Sequence, residues 1–119
     1  MLEYEVLDAC LKLLRDMFML QPGETIAITT DTMSNDEIVE ATAQAAVILG
    51  AKPLIFKIPA PEGAKAGDKD MPMKALIDGI KACDAWEEFN YKLIFYSTVY
   101  DKITEDPNNR PRYMNQNGV

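Results

Sequence analysis

The chain has 119 residues, 48% hydrophobic and 26% charged, which fits one modest globular domain and excludes a disordered or collagen-like polypeptide. Twelve Lys and Arg stand against 19 Asp and Glu, a net charge of −7, so a nucleic-acid partner, which needs clustered cations, is not expected. There is no histidine, which removes imidazole general bases, Cys/His zinc sites and two-His metal sites together.

The chain opens Met1, Leu2, Glu3, Tyr4, Glu5, without the basic start and apolar run of a secretory signal. No apolar stretch reaches the roughly 18 residues of a membrane span, so a cytoplasmic protein without a membrane partner is expected. Over residues 2–20, Leu7, Leu11, Leu14 and Phe18 recur at helical spacing beside Val6, Cys10, Leu13 and Met17, predicting an amphipathic helix. Gln21, Pro22 and Gly23 stop it.

Residues 25–30 read Thr, Ile, Ala, Ile, Thr, Thr, a β-branched stretch that predicts a buried strand. After it, Ser34 and Glu37 have capping-box spacing, placing a helix start near Asn35, with Ile38, Thr42, Ala45, Ala46 and Leu49 on one side. Gly50 fits a C-terminal cap with positive φ. A second strand is predicted over residues 54–58, closed by Pro59 and Pro61, and residues 62–70 read as a loop. Pro72 then opens a helix with Met73, Leu76, Ile77, Ile80 and Cys83 on its apolar face, and Gly79 within it marks a close contact. Two further strands are predicted, residues 85–89 and 93–96.

Helices alternating with apolar strands imply parallel pairing through right-handed crossovers, hence an α/β domain: a three-layer Rossmann-like or flavodoxin-like parallel sheet flanked by helices. The domain is expected over residues 1–100. Residues 101–119 are polar, hold Pro107, Pro111 and several Asn, and read as a tail or linker containing the basic pair Arg110 and Arg112.

Open α/β sheets bind ligands beyond the carboxyl ends of their strands, so Thr30, Asp31, Thr32 and Ser34 are the candidate ligand-binding residues. Their hydroxyls and the following helix start suit a polar ligand, although no phosphate-binding Gly pattern or Lys is present and Asp31 repels phosphate. The simpler alternative is that Ser34 caps a helix while Thr30 and Asp31 settle a turn. Glu87 and Glu88 form an acidic pair, yet neighbours on a strand point to opposite faces and cannot share a proton or an ion; one is expected solvated and the other locally paired. Cys10 and Cys83 sit among apolar residues and, with no histidine to serve as base, read as buried thiols rather than nucleophiles. No catalytic residue and no metal ligand is assigned. The aromatic stretch containing Trp86, Phe89, Tyr91, Tyr96 and Tyr100 fits a packed core or an interface.

Several strings carry a family resemblance: Leu20, Gln21, Pro22, Gly23, Glu24, Thr25, Ile26; Thr30, Asp31; Leu49, Gly50, Ala51; Cys83 through Asn90; Tyr96 through Tyr100; and Arg112, Tyr113, Met114. Their order resembles the N-terminal domain of the aminopeptidase T/S-like metallopeptidase family, which includes leucyl aminopeptidase-like proteins and 2,5-dihydroxypyridine dioxygenase-like enzymes. The resemblance implies a non-catalytic domain or split subunit that contributes to a dimer and a substrate cavity. It implies no cofactor in this chain, with a divalent metal (zinc, cobalt or iron) only in a separate catalytic domain. The implied partner is that catalytic domain or subunit, or a second copy, with Trp86, Asn90, Tyr96, Ser97 and Tyr100 as interface residues. A stand-alone small-molecule-binding or protein-interaction module is the alternative.

Overall fold

The computed structural model describes residues 3–60, 71–90 and 98–115. Its elements are α1 (Glu3–Lys12) with a π-helical continuation (Leu13–Met17), β1 (Thr25–Asp31), α2 (Asp36–Ile48), β2 (Lys52–Ile58), α3 (Met73–Lys81), β3 (Ala85–Glu88), α4 (Thr98–Thr104) and β4 (Arg112–Asn115). The strands form one parallel sheet in the order β2-β1-β3-β4. That is the flavodoxin-like order, which decides between the two topologies the sequence left open.

Right-handed crossovers explain the layering. The connection from β1 to β2 runs one way along the sheet and those from β2 to β3 and β3 to β4 run the other, so α2 lies on one face and α3 and α4 on the other. The two cores match. On one face Val6, Cys10, Leu14 and Phe18 of the first helix and its continuation, with Val39, Ala45 and Ala46 of α2, pack on Ile26, Ile28, Ala85 and Phe89. On the other, Leu76, Ile80, Val99 and Ile103 pack on Ala27, Ile58 and Trp86. β1, covered on both faces, is buried from Ile26 to Asp31, whereas edge strand β2 leaves Leu54 and Ile55 exposed. Parallel strands buried on both faces read as continuous runs rather than alternations, as residues 25–30 do.

The first helix differs from the simple amphipathic span. After Lys12 it widens, the Phe18 N–H donating to the Leu13 carbonyl, and Met19 follows at φ 52°. This wider turn keeps both Leu14 and Phe18 in the core. α2 ends as the sequence predicts: Gly50 lies at φ 82°, its N–H donating to Val47 O, while Ala51 N–H donates to Ala46 O, the paired bonds of a Schellman cap. The close contact expected at Gly79 is with Phe56, whose ring lies 2.9 Å from where a Cβ would stand.

Two expectations are corrected. Residues 101–119 are not simply a tail: residues 101–104 complete α4, and Arg112–Asn115 pairs with β3 as the fourth strand. Asp106 Oδ1 accepts the Asn108 N–H, which turns the intervening Asn-rich segment rather than leaving it as a linker. The N-cap of α2 is Asn35, whose side chain accepts the Glu37 N–H, so Ser34 is released for another role. The predicted loop at 62–70 and strand at 93–96 fall wholly outside the described residues. Among the described residues, no helix is long and apolar enough to cross a membrane.

Candidate functional site

The chain passes from β1 to β2 on one side and later returns to place β3 on the other, so the carboxyl ends of β1 and β3 flank the switch point of the sheet. Here strand geometry delivers polar residues that the crossovers then bury. Thr29, Thr30 and Asp31 end β1, and Glu88, Phe89 and Asn90 end or follow β3; all are at most 2% exposed.

Asp31 organises the loop. Its Oδ1 accepts the Met33 N–H at 3.0 Å and lies 3.1 Å from Ser34 Oγ. The Ser34 hydroxyl also reaches the Phe89 carbonyl, so one proton is shared between the two strand ends. Thr32 takes a different direction, its hydroxyl accepting the Ala60 N–H and its own N–H donating to Ile58 O, which ties the loop to β2. Thr30 Oγ1 and both polar atoms of the Asn90 amide are buried with no hydrogen-bond partner among the described residues. Such atoms are uncommon because each costs about 1–3 kcal/mol of lost solvation.

Asp31 and Ser34 are therefore brought together, with Ser34 reaching Phe89 across the switch point, while Thr30, next to Asp31 on the strand, points to the opposite face and Thr32 belongs to the β2 side. Ser34 is corrected from helix cap to strand-end link. Of the residues assigned to an interface, Trp86 is wholly buried in the second core, its Nε1 donating to Thr29 Oγ1 at 2.9 Å, and so is corrected from interface to interior. Tyr100 is half-buried against Trp86 and Tyr113, with ring centroids at 6.2 and 5.2 Å. Tyr96 and Ser97 lie outside the described residues.

The acidic pair does split across the sheet, but neither member is solvated. Glu88 accepts the Tyr113 hydroxyl at 2.7 Å on the second-core side. Glu87 lies in the first core with both oxygens unpartnered among the described residues; burial, and then the charge of Glu88, push its carboxyl up to about 8. Burial likewise raises the Cys10 and Cys83 thiols, so both free cysteines are protonated packing groups. Tyr113 is a site-lining residue that sequence reasoning missed. The four residues of β4, Arg-Tyr-Met-Asn inside a polar segment, carry no periodicity that would mark a strand.

Among the described residues no three His, Cys, Asp or Glu side chains converge, and the two adjacent glutamates face opposite ways.

The fold is similar to that of 2,5-dihydroxypyridine dioxygenase from Pseudomonas putida KT2440, with a TM-score of 0.81 over 98% of this chain and 17% sequence identity. The chain spans 35% of that protein's length. At this identity the likeness is one of fold. No protein-family model and no curated protein matches the sequence.

Proposed function

We propose that this chain serves as the non-catalytic α/β domain of a larger metal-dependent enzyme of the ring-cleaving dioxygenase kind, with an aminopeptidase as the other lineage. The metal ligands come from a separate domain or subunit, and the switch-point edge helps to close the substrate cavity and a dimer. The observation that carries this reading is the backbone likeness to one third of a dioxygenase, in a sequence with no histidine. The free, buried Cys10 and Cys83 suit a reducing, cytoplasmic setting.

A second reading, a stand-alone small-molecule-binding module, is favoured by the unpartnered polar atoms of Thr30 and Asn90. One experiment separates the two. The protein is captured from its source cells, sized by light scattering and assayed for metal. The first reading expects an assembly or polypeptide well above 13.3 kDa that includes a histidine-bearing, metal-loaded segment. Metal-free species made only of this chain, stabilised by small molecules in a way that Thr30→Val abolishes, would replace it with the second reading. A lone chain that bound metal and turned over substrate would overturn both.

A further inference from the structure

Arg110 and Arg112 form the basic pair of an otherwise acidic sequence, and neither belongs to the switch-point site. Both line a cleft of about 400 Å³ between α4 and the start of β4, whose other walls include Tyr100, Tyr113, Pro107 and Pro111. That volume lies within the range of small-molecule sites.

The two guanidiniums differ. Glu24 holds Arg112 with two bonds, Nη2 to Oε1 at 2.7 Å and Nη1 to Oε2 at 3.3 Å. A guanidinium has five N–H donors, so this clamp fixes the group while leaving three donors to offer. Arg110 is exposed and has no ion pair among the described residues, so its charge is uncompensated.

The rings are also held. Tyr113 packs against Trp86 at a tilt of 51° with centroids 4.6 Å apart, its hydroxyl anchored on Glu88, and Tyr100 meets it edge-on. Rigid aromatic faces beside a planar fork of donors suit a ligand with one flat apolar part and one bidentate anionic part.

We propose that this cleft binds an aromatic carboxylate, its carboxylate on Arg110 and Arg112 and its ring against Tyr100 and Tyr113. A single-ring acid fits the volume, and a carboxylate matches the planar guanidinium fork better than a spherical anion does.

The test is titration of the purified chain with benzoate, followed by calorimetry and by amide NMR shifts, with inorganic phosphate and benzyl alcohol as separate probes. Saturable benzoate binding is expected, with shifts centred on Tyr100, Arg110 and Tyr113, and with affinity lowered ~10-fold by Arg110→Gln. Arg110 is exposed, so that variant should keep its melting temperature; Tyr100→Leu should weaken benzoate without affecting phosphate. No saturation by about 10 mM would overturn the proposal, because that concentration corresponds to less than about 3 kcal/mol of binding. Equal binding of phosphate, equal binding of benzyl alcohol, or indifference to Arg110→Gln would each overturn it too.

Discussion

Glu87 and Glu88, neighbours on β3, are buried in two different cores on opposite faces of one sheet. Glu88 is held by Tyr113, whereas Glu87 pairs in register with Ile28 and Met114 and finds no polar partner among the described residues. A buried carboxyl of this kind stays protonated in the folded protein and ionises freely when unfolded.

Stability should therefore depend on Glu87. Its folded value of about 8 lies above the ordinary 4.5, so the folded state binds the extra proton across that interval. The contribution of Glu87 is complete below 4.5 and falls away as pH rises towards 8, by at most about 5 kcal/mol. Urea denaturation at several pH values should show this decline, and Glu87→Gln should flatten it. A wild-type profile already flat across the interval would show that Glu87 ionises without cost.

The bond from Trp86 Nε1 to Thr29 Oγ1 joins two buried side chains across the paired β1 and β3. Thr29→Val keeps the shape but strands the indole N–H, so a loss of about 1–3 kcal/mol is expected. Equilibrium unfolding followed by tryptophan fluorescence would measure it.

At Gly50 an added Cβ would lie 3.2 Å from Pro22 Cβ, at a φ of 82° that side chains rarely adopt. Gly50→Ala should cost about 1–3 kcal/mol and lower the melting temperature. An unchanged transition in calorimetry would mean that the cap relaxes.

Ser34 ties the β1 loop to the end of β3 through Asp31 and Phe89. Ser34→Ala should cost about 1 kcal/mol, and amide exchange should quicken around residues 31–34 and 89–90 more than in β2. Uniform acceleration would indicate a general loss of stability instead.

Most of the fold was legible because its signals are local. Apolar residues at helical spacing marked the helices, the β-branched run marked β1, and Gly50 marked a cap whose φ bears it out. β4 was illegible because four residues beside a proline carry no periodicity, and only the exposed flank of β3 explains why they become a strand. The capping error has a similar cause: Ser34 and Asn35 both favour an N-cap, and the choice rests on Phe89, 55 residues away, which draws the Ser34 hydroxyl. The polar switch-point loop was readable from strand order and residue type. The burial of both glutamates was not, because alternation predicts which face a side chain takes but not what covers that face.

The central position of β1 has a kinetic consequence. Its bonds to the β3 region join residues 59 and 57 apart, at Thr25 with Asp84 and at Thr29 with Trp86, and the clamp from Arg112 to Glu24 spans 88. An early strand that must wait for partners made much later closes large loops before it gains their contacts, which slows folding. During synthesis β1 and β2 can pair first, leaving one side of β1 open until β3 arrives. The single tryptophan, buried only when that side closes, is thus a built-in clock for the docking of β3.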